Sequence, residues 1–91
     1  MNQINFYAGE QRLIVLTVRP INPKEIVVVT KAEYELIKQY DEIAEKGTCE
    51  INGDEVAVLL KVTENGRYTL KVTMNIGREI RIEEIQINVG S

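Results

Sequence analysis

Apolar and polar residues alternate with a period of two along most of the chain, and the alternation is strictest in Arg67–Met74. There Tyr68, Leu70, Val72 and Met74 take one parity, and Arg67, Thr69, Lys71 and Thr73 take the other. A strand points successive side chains to opposite faces, so the run predicts a strand with one face in a core and one in water. Asn65-Gly66 before it is a turn signal, because both residues tolerate positive φ. Asn75-Ile76-Gly77 after it predicts a hairpin to a second run, Arg78–Val89. In that run Ile80 and Ile82 hold one parity, and Ile85, Ile87 and Val89 the other. The switch at Glu83-Glu84 predicts a β-bulge that returns the apolar set to the core side. The alternative is a strand that passes from one sheet or neighbour to another.

The same reading extends to the rest of the chain. Ile4 and Phe6 alternate with polar residues in a short first strand, which Ala8-Gly9-Glu10 breaks. Gln11–Arg19 predicts a second strand. It is apolar on both parities, Leu13 and Val15 against Ile14, Leu16 and Val18, so both of its faces are expected to be covered. Pro20 and Pro23 end it, because neither can donate to a ladder. Ile26–Thr30 is β-branched and extended. Cys49 and Ile51 share a face before the turn signal Asn52-Gly53, and Val56, Val58, Leu60 and Val62 line one face of the strand that follows. About seven strands with turns between them, at intervals of ~8–12 residues, predict an all-β sandwich.

Lys31–Gly47 admits two readings. Leu36, Ile37, Tyr40, Ile43 and Ala44 sit at helical spacing, Thr30 with Glu33 matches a capping box, and Gly47 suits a helix end. A helix over 33–46 would make the fold α+β. Against it, Val28, Thr30, Ala32, Tyr34 and Leu36 keep one parity without a break, which predicts strand, loop and strand.

Composition narrows the function classes. The 91 residues are read as one domain, 1–91, large enough for a single core. A 44% hydrophobic and 27% charged chain has an ordinary globular balance. The net charge is −3 with both signs interspersed, so nucleic acid is a poor partner. The longest apolar runs, Ile26–Val29 and Val56–Leu60, are too short to span a membrane, and the N-terminal residues carry no signal-peptide pattern. One cysteine rules out an intramolecular disulfide, and the lack of histidine removes the commonest general base and transition-metal ligand.

Glu64-Asn65-Gly66-Arg67-Tyr68-Thr69-Leu70 resembles the immunoglobulin-like pattern acidic, any, Gly, any, Tyr, any, Cys that builds a tyrosine corner. The resemblance makes Tyr68 the corner tyrosine beside Gly66, and puts Leu70 where the family often has a disulfide cysteine. It puts Tyr34 at the buried strand C tryptophan. More broadly, Ala32–Val89 resembles the small immunoglobulin-like domains of tailed-phage and prophage virion proteins. The matching residues are Ala32, Tyr34 and Leu36, then Gly47, Cys49, Ile51 and Gly53, then Gly66, Tyr68, Leu70, Val72 and Thr73, then Gly77. The resemblance implies an immunoglobulin-like sandwich and favours strands over a helix at 33–46. It also implies a structural, non-enzymatic part of a phage or prophage particle, capsid-associated or tail. Such a part assembles in the bacterial cytoplasm through contacts with itself or other virion subunits. A surface or adhesion sandwich module, and a small cytoplasmic α+β regulator, are the alternatives.

Candidate chemistry is sparse. Cys49 lies between polar Thr48 and Glu50 and reads as a buried small hydrophobe, since no histidine is there to activate it. Asn52-Gly53-Asp54-Glu55 offers oxygen ligands but no spaced calcium loop, and Glu83 and Glu84 point opposite ways on a strand. No metal, cofactor or catalytic set is therefore assigned. The candidate interaction face is Arg67, Thr69, Lys71 and Thr73, with Arg81 beside it and Arg78 at the turn. The bland reading of that face is a solvated sheet surface with cross-strand charge pairs. Tyr7 and Tyr40 are candidate interface aromatics. The first strand, Gln3–Tyr7, or the last, Ile80–Val89, can lend an edge for strand addition.

Overall fold

A computed structural model of the chain describes residues 2–20, 22 and 24–90, with Asn2 described by its backbone alone. Eight strands follow in order: β1 (Asn2–Tyr7), β2 (Gln11–Thr17), β3 (Val29–Ile37), β4 (Ile43–Thr48), β5 (Glu50–Asn52), β6 (Glu55–Lys61), β7 (Gly66–Ile76) and β8 (Glu79–Gly90). They form a five-stranded sheet, β1-β8-β7-β3-β4, and a three-stranded sheet, β2-β6-β5. The all-β sandwich expected from the sequence is therefore present. Its strand order is that of an immunoglobulin-type sandwich in which the first strand pairs with the last, in parallel, instead of with the second. Pro20 follows the second strand as expected; Pro23 lies outside the described residues.

The disputed segment is strand, turn and strand. β3 ends at Ile37, a single 3₁₀ turn spans Gln39–Asp41, and β4 returns antiparallel beside β3. Tyr40 and Asp41 both have left-handed backbone, φ 61° and 58°, which a helix over 33–46 cannot contain. The helix-forming composition loses to pairing. Glu33 and Glu35 stand on one outer face between Thr73 and Lys71 of β7 and Thr48 and Lys46 of β4. Cys49 then carries the chain from one sheet to the other. Its N–H donates to the Ala32 carbonyl at 2.9 Å, and β5 begins at the next residue in the three-stranded sheet.

The two inner faces interdigitate as the period-two pattern requires. Val56, Val58 and Leu60 of β6, with Ile14 of β2, meet Leu36 of β3, Tyr68, Leu70, Val72 and Met74 of β7, and Ile85, Ile87 and Val89 of β8. Between β1 and β2, which belong to different sheets, the Arg12 guanidinium lies 5.2 Å from the centre of the Phe6 ring and donates to the Asn5 carbonyl at 2.9 Å.

The β-bulge at Glu83-Glu84 is not formed. The β7–β8 ladder runs in one unbroken register from Gly66↔Val89 to Ile76↔Glu79. Ile80 and Ile82 therefore face outward with Thr73 and Asn75, while Arg81 and Glu83 stand on the inner side with Met74 and Val72. The apolar parity switches because the cover ends. At this end of the sandwich Arg81 reaches the last residues of the opposing sheet's chain, donating to the Arg19 carbonyl at 2.8 Å.

Candidate interaction surface

The tyrosine corner forms as expected. Tyr68 is buried at the start of β7, and its hydroxyl donates to the Glu64 carbonyl at 2.9 Å, four residues upstream. Gly66 between them has φ +147°, in the region that side chains disfavour. From the same turn Glu64 reaches Lys38 at the end of β3, Nζ to Oε2 2.9 Å; this pairing lowers the Glu64 pKa and raises that of Lys38. Leu70, at the cysteine position of the resemblance, is fully buried, and its cross-strand partner is Leu36. Tyr34 does not occupy the buried tryptophan position. It sits opposite Val72 and is only half-buried, its ring against Gly47, with 3.1 Å left for a Cβ there. Its hydroxyl donates to Glu45 at 3.1 Å, and partial burial followed by the Glu45 charge raises its pKa.

Arg67, Thr69, Lys71 and Thr73 share the outer face of the five-stranded sheet. Across that face the charges alternate along one row, Glu84, Lys71, Glu35 and Lys46, from β8 to β4. The face thus balances its own charge, and Lys31 with Glu33 closes to an ion pair at 2.9 Å. Arg81 does not belong to it. The unbroken register turns Arg81 to the inner side, where Glu79 and the Arg19 carbonyl hold it. Arg78 is exposed in the β7–β8 turn. Tyr7 and Tyr40 are both exposed, Tyr40 almost fully at 98%, and they lie toward the same end of the long sheet on opposite flanks of β8 and β7.

Two apolar sets escape the polar-face reading. Ile80 and Ile82, on the outer face of β8, are 67% and 53% exposed. They lie where, among the described residues, β8 has no second neighbouring strand, because β1 pairs only with Ile85–Gly90. The second set is the outer face of the small sheet. Leu13 lies opposite Leu59 and Val15 opposite Ala57, with both leucines 59% exposed. The sequence carries a signal for this face, since β2 is apolar on both parities, but the cover that pattern predicts for its outer side is not found among the described residues.

Enzyme-like chemistry is scarce among the described residues. No three His, Cys, Asp or Glu side chains are grouped to hold a metal ion. An open trough crosses β3 and β4, lined by Lys31, Glu33, Glu35, Lys46 and Thr48. Cys49 is half-buried against the core, and burial, aided by the Glu33 charge, pushes its thiol up to about 11.

Solved structures share this architecture. The chain superposes on part of an engineered protein with a TM-score of 0.76 at 11% identity, covering 99% of this chain and 18% of that one. It superposes on CopC from Methylosinus trichosporium OB3b with a TM-score of 0.70 at 12% identity, covering 99% of this chain and 85% of CopC. The β-sandwich fold is shared. At these identities the likeness extends to the fold and no further. No protein-family model matches the chain. No curated protein matches it.

Proposed function

We propose that this chain is a non-enzymatic assembly module of a phage or prophage particle, joined to neighbouring subunits by strand addition at the free edge of β8. One observation carries the reading. β1 covers β8 only from Ile85 to Gly90, and among the described residues no strand pairs Glu79–Glu84 on that side, with Ile80 and Ile82 exposed along it. An uncovered edge offers main-chain donors and acceptors to an incoming strand, and exposed apolar side chains beside it add contact area. No proline or bulge interrupts Glu79–Glu84, and its guards are the charges of Glu79, Arg81, Glu83 and Glu84, which favour a specific partner strand over indiscriminate pairing. The particle setting rests on the resemblance of Ala32–Val89 to small virion domains, in which a sandwich without a catalytic set serves as a building unit.

Sedimentation of the wild-type chain and of the Ile80→Lys/Ile82→Lys variant tests the reading. The wild type is expected to associate with rising concentration, and a trimeric or ring-sized mass fits the particle setting. The variant is expected to associate less than the wild type and to form no trimeric or ring-sized species, with an unchanged β-sheet circular dichroism spectrum. Equal association of both proteins would rule out the β8 edge.

A further inference from the structure

We propose that two copies of this chain pack face to face through the outer surface of β2-β6-β5, about a two-fold axis that crosses the strands above the Ile14–Val58 pair. The inference deepens the assembly reading, and rests on it in taking another copy of the chain as the partner. It uses the other sheet, so the two contacts are separable.

The face is built of four rows on two paired strands. From one end they are Gln11 with Lys61, Leu13 with Leu59, Val15 with Ala57, and Thr17 with Glu55. Its middle is apolar and exposed, with the two leucines at 59% and Val15 at 47%. Its ends are polar and opposite in sign. Lys61 stands at one end, and Glu55 at the other with Glu50 of β5 beside Ala57. A soluble sheet face normally carries polar residues at such central positions, so an apolar middle with a charged rim has the make-up of a contact patch.

The order of the rows selects the partner and its orientation. The Ile14–Val58 pair lies midway along both strands. An axis crossing the strands there brings the first row of one copy over the last row of the other. Lys61 then meets Glu55 of the second copy twice, large Leu59 meets small Ala57, and Leu13 meets Val15. The patch is complementary to itself, as an isologous contact requires. The other two-fold, with its axis along β6, sets Lys61 against Lys61 and Glu55 against Glu55, so repulsion disfavours it. Face-packed sheets cross at about 30° with about 10 Å between them, which leaves room for these side chains to interdigitate. The patch is small. Two seven-residue strands about 4.8 Å apart, with the three-residue β5 beside one end, cover at most roughly 15 by 23 Å. That is below a standard interface, and the pair is expected to be weak alone and reinforced within an array.

The test is a charge swap followed by sedimentation equilibrium on the full chain up to about 1 mM, a concentration that registers weak association. Lys61 and Glu55 are both exposed, so their replacement leaves the core untouched. Lys61→Glu alone and Glu55→Lys alone are each expected to weaken dimerisation about tenfold or more, because each creates two like-charge contacts. The double variant is expected to return within about threefold of the wild type. A wild type that stays monomeric at about 1 mM overturns the proposal, as do single swaps that leave association unchanged or a double swap that fails to rescue it. Association that is lost in Ile80→Lys/Ile82→Lys but indifferent to the swaps overturns the face while keeping the β8 edge. The reverse pattern keeps the face and removes the edge.

Discussion

Tyr68 closes the turn that β7 grows from, and its effect is measurable by removing one atom. Tyr68→Phe keeps the buried ring and deletes the hydroxyl that donates to the Glu64 carbonyl. The loss of one such bond is expected to cost about 1 kcal/mol, read as a lower urea midpoint at unchanged m-value. Cys49 gives a pH dependence of definite sign. Its pKa rises from 9.0 to about 11 on folding, because burial disfavours the thiolate. Above the unfolded value the unfolded chain releases a proton that the folded chain keeps, so the unfolded state is favoured as pH rises. The stabilising contribution is full below pH 9 and is lost as pH climbs toward about 11. Denaturation of wild type and Cys49→Ala across that range should show the wild type losing stability faster. The roles of Tyr68 and Gly66 were legible through the immunoglobulin-like resemblance, because the corner's motif is contained in one short stretch. Tyr34 was misplaced because its parity matched the core but its neighbour Gly47, which takes its ring, lies across a strand pairing that the sequence does not display.

At the scale of elements, β7 and β8 were legible because a hairpin writes both of its strands in one alternating stretch. What could not be read was why the parity switched. A bulge and an end of cover produce the same sequence, and only the position of β2 and β1 distinguishes them. The structure places the change at the end of cover, with Arg81 and Glu83 turned inward beyond the packed layer. This divides β8 into two halves of different protection. In the Ile80→Lys/Ile82→Lys variant, whose β8 edge is blocked, amide hydrogen exchange should be fast at the alternate positions of Glu79–Glu84 that point away from β7, and slow over Ile85–Val89, where β1 and β7 flank the strand. Uniform protection along β8 would mean that something else covers the first half. The segment 33–46 was ambiguous for a related reason. Its composition suits a helix, yet β7 and β4 supply partners on both sides of β3, and tertiary pairing overrides propensity.

For the molecule as a whole, the two sheets treat water differently. The large sheet shows a polar outer face whose charges alternate across strands, and the small sheet shows an apolar patch between charges of opposite sign. The first stands out in the sequence as an interaction surface because alternating polar residues are conspicuous. The second was hidden in a strand apolar on both parities, where sequence marks a need for cover but not what supplies it. Combined edge and face variants would leave a monomer with neither contact, and the single sets apportion assembly between the two sheets.

The parallel pairing of β1 with β8 has a mechanical consequence. β1 starts beside Ile85 and finishes beside Gly90, so the first and last strands run side by side in the same direction. Tension applied between the two ends of the described chain would slide these strands past one another. Every rung between them would carry load together, whereas a terminal hairpin peels open one rung at a time. A unit built this way resists stretching along its long axis, which measures 44 Å against 22 Å across. Its yield under force would be set by the rate of that shearing step, not by its equilibrium stability.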